Sequence, residues 1–230
     1  MIWPSATCFS LILAVRLAAA TVSGTVSLAD AGDRGRDQSG VVVALQPLSG
    51  HAEPAPMRAR MLQKNKTFSP HVLAVTAGST IDFPNADPIF HNAFSNFNGQ
   101  VFDIGLYPPG KSRAVVFRRA GVVRVFCNIH PAMSAVIVVL DTPYFAVTDR
   151  EGRYRIPDVP PGMYRRTVFH ERATPEVLAA ASRDVEVTDP NSVLPPAAIS
   201  EAGYLPAPHS NKFGKAYPHG AGDAPYGIPQ

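Results

Sequence analysis

The chain has 230 residues, with 23 prolines, 17 glycines, two cysteines and a formal charge of +3. That length covers one large domain or two small ones, and the mild charge, with no basic stripe interleaved with aromatics, argues against a nucleic-acid partner. No long stretch carries apolar residues at the helical interval, whereas short β-branched runs bounded by Gly, Pro, Asn and Asp are frequent, which predicts an all-β protein.

Residues 1–20 read as a signal peptide. Ile2 to Ala20 is mostly apolar and ends in Ala18, Ala19 and Ala20, the small residues a signal peptidase needs. Arg16 interrupts the run before it reaches spanning length, and no other segment could cross a membrane. The protein is therefore expected in the periplasm, without a transmembrane segment once the signal is removed. Cys8 would leave with the signal. Cys127 would then stand alone in an oxidising compartment, with no intramolecular disulfide open to it. A lone thiol there is either a buried small hydrophobe or a metal ligand.

Residues 21–50 hold two strands, Val22 to Leu28 and Val41 to Leu45, around a polar loop. Residues 57–141 read as a β-sandwich. Its strands are Val72 to Val75, Thr80 to Phe83, Ala114 to Phe117, Val122 to Phe126 and Ala135 to Leu140, with Gly78 and Gly121 at turns. Residues 142–188 form a second β unit. Phe145 to Thr148, Arg153 to Ile156 and Met163 to Phe169 are strands, and Asp149-Arg150-Glu151-Gly152 is a turn. A short helix is predicted from a Thr174 cap with Pro175 at its first position, and Val185 to Val187 is a last strand. Residues 189–230 are rich in Pro, Ala, Gly and Ser and read as a disordered tail, in which His209 and His219 are expected to be solvated.

The segment Cys127-Asn128-Ile129-His130-Pro131-Ala132-Met133 places a thiolate, an imidazole and a thioether at intervals of three. A strand runs into it and another leaves it, so a short loop anchored at both ends offers three ligands. His91, in Phe90-His91-Asn92, is the best candidate for a fourth. Two imidazoles, one thiolate and a weak axial Met select a single mononuclear copper. Zinc gathers more Cys or His, or a carboxylate, and a paired copper centre needs a second cysteine. Four protein ligands leave no open position, so the chain is not expected to be an enzyme. His71 is expected to be exposed, His170 to form a surface ion pair with Glu171, and Asp82, Asp87 and Asp103 to be surface acids. Pro131, Ala132, Pro88 and Ile89 are expected to frame one solvent-facing edge of His130.

Phe68-Ser69-Pro70, Val75 to Gly78, Phe83-Pro84-Asn85-Ala86-Asp87, His91-Asn92 and Cys127 to Met133 together resemble the cupredoxin pattern over roughly residues 57–141. The Cys-x-x-His-x-x-Met spacing is similar to that of amicyanin, and the wider chain resembles exported plastocyanin-like proteins labelled methylamine utilisation proteins. The resemblance implies a Greek-key sandwich, a type 1 (blue) copper held by His91, Cys127, His130 and Met133, and one-electron transfer to a redox protein, a cytochrome or a dehydrogenase. It also implies that Asn92 ties the two ligand-bearing loops together. Asn128 and Ile129 stand where amicyanin-like loops carry Ser or Thr and then Pro, which bears on the hydrogen bonds around the ligands; Pro131 stiffens the loop after His130. The other reading that the ligands allow is a copper carrier or sensor without redox cycling. Gly24-Thr25-Val26, Val41 to Leu45, Thr148 to Tyr154 and Val159 to Tyr164 resemble carboxypeptidase regulatory-like sandwiches. That implies one sandwich split around the other.

Overall fold

The computed structural model describes residues 19–30, 37–96, 99–188, 190–204 and 209–217. The expected signal up to residue 18, and His219, lie outside the described residues. The strands, in chain order, are β1 (Ala20–Ala29), β2 (Val42–Pro47), β3 (Arg58–Arg60), β4 (Leu62–Lys64), β5 (Thr67–Ser69), β6 (Val72–Thr76), β7 (Ser79–Pro84), β8 (Phe94–Ser95), β9 (Phe102–Asp103), β10 (Ser112–Phe117), β11 (Gly121–Phe126), β12 (Ser134–Leu140), β13 (Phe145–Val147), β14 (Arg153–Val159) and β15 (Gly162–Phe169). Helix α1 (Pro175–Ala181) is followed by β16 (Arg183–Val187), β17 (Asn191–Val193) and β18 (Ala197–Ser200). The protein is all-β apart from α1, which has Thr174 as its N-cap, accepting from the Val177 amide, and Pro in its first turn.

Two sandwiches share the chain. One packs the sheet β10-β7-β3 against the sheet β6-β12-β11-β8-β9. Its strands alternate as a half-buried sheet requires: along β7, Ser79, Ile81 and Phe83 turn inward. Ile81 and Phe83 join Met61, Phe117, Val123, Val125, Cys127, Met133, Ala135, Ile137 and Val139 in one core. The other sandwich packs the sheet β13-β2-β15-β16 against β1 and its partners. Strand β1 pairs with β14, and β2 pairs with both β13 and β15, so strands from before residue 50 join strands from after residue 141. The turn feeding β14 uses Asp149, whose side chain accepts from the Glu151 and Arg153 amides. At Gly152, φ is +76° and a Cβ would lie 2.1 Å from the Val26 carbonyl oxygen, so only glycine fits there.

The expected tail is corrected in its first part. Within residues 189–200, β17 and β18 lie parallel to β1 and bury Leu194, Ala197 and Ile199 in the second core. Three inward apolar side chains and a row of backbone bonds along β1 are enough to order a segment whose composition reads as coil.

A third apolar cluster joins the sandwiches. Val42, Ala74, Val136 and Val138 are buried there, with Phe145 and Phe169 packed against them. Strand β12 therefore faces one core with Ala135, Ile137 and Val139 and the seam with Val136 and Val138. This accounts for its unbroken apolar sequence, which is the signature of a strand covered on both faces.

Candidate metal centre

The hairpin β11–β12 pairs in register from Gly121↔Val139 to Phe126↔Ser134, and its connection is the segment Cys127 to Met133. The Cys127 amide donates to the Met133 carbonyl at 3.2 Å, and the Met133 amide to the His130 carbonyl at 3.0 Å, so the loop closes on itself. His91 comes from a second loop, held by a two-way backbone bridge. Its amide donates to the Tyr107 carbonyl at 3.2 Å, and the Tyr107 amide donates back at 2.9 Å. Tyr107 is itself buried and donates its hydroxyl to the Phe83 carbonyl at 2.7 Å. Burial pushes that hydroxyl up to about 12, which keeps it a donor.

His91, Cys127 and His130 come together with one ligand atom each, all within 4.8 Å of one another. The Cys127 sulfur lies 3.8 Å from His91 Nδ1 and 3.7 Å from His130 Nδ1. Bonds of about 2.0 Å to nitrogen and about 2.3 Å to sulfur, opened by roughly 120°, would put N and S about 3.7 Å apart, so the spacing suits a single ion between them. The imidazole rings meet edge-on at 4.7 Å. Cys127 and His91 are buried and His130 is half-buried. Met133 is buried in the same core as Cys127.

Charge on the sulfur is both opposed and prepared for. Burial pushes the Cys127 thiol up, while the backbone N–H groups of Asn92, Ile129 and His130 favour the thiolate. A metal ion would tip that balance by displacing the proton. The two ligand-bearing loops are joined where Asn92 Oδ1 accepts from the Asn128 amide at 2.6 Å. Pro131 is buried and so does not line a solvent-facing edge as expected, while Ala132, Pro88 and Ile89 are exposed and His130 is half-buried.

Asp87 corrects the sequence reading. It is 6% exposed rather than a surface acid. Its Oδ2 accepts from His91 Nε2 at 2.7 Å, and the carboxylate also accepts from the Asn65 and Lys66 amides at 2.6 and 2.9 Å. Burial works against its charge, but these donors outweigh it and hold the carboxyl below its ordinary value. A proton on Nε2, donated to Asp87, leaves the Nδ1 lone pair of His91 aimed at the site. The sequence signal was available, as a carboxylate four residues before a candidate ligand histidine.

Two further expectations change. His170 is buried and paired with Glu201 at 2.7 Å, whereas Glu171 pairs with the exposed His71 at 2.8 Å across the seam. His209 is not solvated: its ring stacks on Phe126 with centroids 4.0 Å apart.

No protein-family profile and no curated protein matches the chain. Among solved structures, a purple cupredoxin from Nitrosopumilus maritimus is 26% identical over 36% of this chain and 99% of its own, with a TM-score of 0.33. Amicyanin from Paracoccus versutus is 19% identical over 43% of this chain and 97% of its own, at 0.34. A copper-containing nitrite reductase from Thermus scotoductus is 27% identical over 41% of this chain, at 0.35, and the match spans a quarter of that enzyme (25%). Among the described residues, no helix is long and apolar enough to cross a membrane.

Proposed function

We propose that the protein is an exported, periplasmic type 1 (blue) copper protein that carries single electrons. The observation that supports this most is the buried Cys127 sulfur lying 3.8 and 3.7 Å from two imidazole Nδ1 atoms. A thiolate with two imidazoles and a thioether is the donor set of blue copper, and a single ion is what that set holds. Bound there, copper supplies one-electron exchange between Cu(II) and Cu(I).

The protein's own groups do the rest. Asp87 orients His91. Asn92 and Asn128 couple the two loops. The amides around Cys127 stabilise the thiolate. Met133 would be the weak fourth ligand, and Pro131 limits the freedom of the loop beside His130. The half-buried His130 ring is the edge at which a redox protein such as a cytochrome or a dehydrogenase would dock in a brief, low-area encounter, with Pro88, Ile89 and Ala132 as exposed apolar residues that suit it. With His91, Cys127, His130 and Met133 all as ligands, no position would stay open to substrate, which supports a carrier over an enzyme.

The test is an optical and paramagnetic spectrum of the purified chain with one equivalent of Cu(II). An intense visible band, bleached by ascorbate and restored by a cytochrome acceptor, is the expected result. A colourless Cu(I) protein that hands its metal on would replace this reading with that of a copper carrier. Met133→Gln should keep the band but lower the reduction potential, because a harder oxygen donor favours Cu(II); an unchanged potential would remove Met133 from the ligand set.

A further inference from the structure

Residues 209–217 lie outside both sandwiches, yet they reach the loop that bears Cys127, His130 and Met133. His209 stacks on Phe126, with centroids 4.0 Å apart and planes 19° from parallel. Its Nε2 donates to the Pro131 carbonyl at 2.9 Å. The Lys212 amide donates to Asn128 Oδ1 at 3.0 Å, and the Tyr217 hydroxyl donates to the Cys127 carbonyl at 3.2 Å. Lys212 Nζ also anchors the segment to Asp103, at 2.8 Å. The segment has a shape of its own. Asn211 donates its amide to the Lys215 carbonyl at 2.8 Å, while its side chain accepts from the Phe213 and Lys215 amides at 2.9 and 3.1 Å.

The contacts named above from this segment to the sandwich, apart from the one to Asp103, fall between Phe126 and Pro131. The groups that make them are an imidazole, a phenol and a main-chain amide, each meeting a complementary acceptor or ring face. The loop is also held by the two backbone bonds that close it, by the Ile129 and His130 N–H groups at the Cys127 sulfur and by the link to Asn92. Three of the four proposed ligands sit on that loop, so the ion can leave only when it opens. We propose that residues 209–217 are a clamp that positions the Cys127–Met133 loop and slows release of the metal. The effect on metal release rests on the copper reading above; the effect on the loop does not.

The test uses the full chain with His209→Ala and Tyr217→Phe, separately and together. In the metal-free protein, hydrogen exchange of the peptide spanning residues 127–133 should quicken by at least about tenfold in the double variant, as loss of two hydrogen bonds and one stacked ring would cause. After loading with copper and reduction, transfer to excess bicinchoninate should quicken by a similar factor, and the visible spectrum of the Cu(II) form should shift. The thermal midpoint of the metal-free chain should stay unchanged. Loop exchange within about twofold of the parent overturns the clamp. So does a uniform rise in exchange across residues 57–141 with a lowered midpoint, which would make the segment ordinary packing. If the parent chain binds no copper, the copper reading fails while the metal-free exchange still decides the clamp.

Discussion

The sandwich that carries His91 and Cys127 is built from one uninterrupted stretch, β3 to β12, whereas its neighbour takes β1 and β2 from one side of that stretch and β13 to β18 from the other. The first closes its site through a hairpin whose strands are adjacent in sequence. The second must bring β1 beside β17 and β18, about 170 residues away, as parallel partners. The entropic cost of such closure grows only slowly with chain length, so the split arrangement is affordable. Its consequence is mechanical. Because the split sandwich presses Val42, Phe145 and Phe169 on the outer face of β12, the hairpin that holds the Cys127–Met133 loop is packed from both sides. A doubly covered hairpin resists the small movements that would alter the spacing of Cys127 and His130.

The comparison can be broken most directly at the loop. Cys127→Ser should abolish the thiolate-to-copper band outright, because a hydroxyl supplies no thiolate. Thermal unfolding of the metal-free variant should remain cooperative, since Cys127 contributes little volume to its core. A band that survives would move the thiolate out of the site and leave the two sandwiches without a functional distinction.

Ile199→Ala attacks the other unit. Ile199 is fully buried on β18, and truncation should cost about 2–5 kcal/mol in urea unfolding. The copper spectrum of the folded variant should match that of the parent. If the copper band and the far-ultraviolet signal are lost at one urea concentration, the seam makes the two sandwiches one cooperative unit; separate transitions would make them independent.

Gly24→Ala should have a smaller effect in the same unit. A Cβ at Gly24 would lie 2.4 Å from the Tyr154 hydroxyl oxygen, so Tyr154 must shift within its core. Overpacking of this kind costs about 1–3 kcal/mol, readable as a lowered urea midpoint. An unchanged midpoint would show that Tyr154 has room to turn.

The seam itself should carry the smallest effect, and it depends on pH. Burial opposes charge on His71, but the Glu171 carboxylate outweighs it and raises the ring above its ordinary 6.5. The stability this gives is complete below 6.5 and is lost as pH rises through the raised value. Glu171 is shifted the other way. Burial opposes its charge, yet His71 holds it below its ordinary 4.5, so its contribution is present above 4.5 and lost as pH falls through the lowered value. The pair should therefore stabilise most between 4.5 and 6.5. With His71 exposed, the gain stays under about 1 kcal/mol. Urea midpoints of the parent and of His71→Ala should differ in that window and converge at alkaline pH. A difference that persists at alkaline pH would assign the contact to packing instead of charge.

Much of the ligand-bearing sandwich was legible because its signals are local. Short β-branched runs between turn residues mark β6, β7, β10, β11 and β12, and a thiol, an imidazole and a thioether at fixed spacing between two strands mark the loop. Asp87 was misread although it sits only four residues from His91. Composition alone makes an aspartate look solvated, and only the fold shows it sealed under Asn65 and Lys66. Strands β17 and β18 were missed for a different reason. Their few apolar residues lie among Pro and Ser, and a parallel partner 170 residues upstream leaves no periodic mark on a segment three or four residues long.

What the sequence determined by itself is the local chemistry: which residues could be ligands, which loop carries three of them, and which strands deliver that loop. The tertiary structure decided everything that needs two distant segments to meet. It placed His91 Nδ1 beside Cys127, set His71 against Glu171, and laid His209 on Phe126. Side-chain pattern records the environment of a residue, buried or exposed. It does not record the identity of the neighbour, because many partners bury the same surface equally well and only the packing of the whole chain selects one.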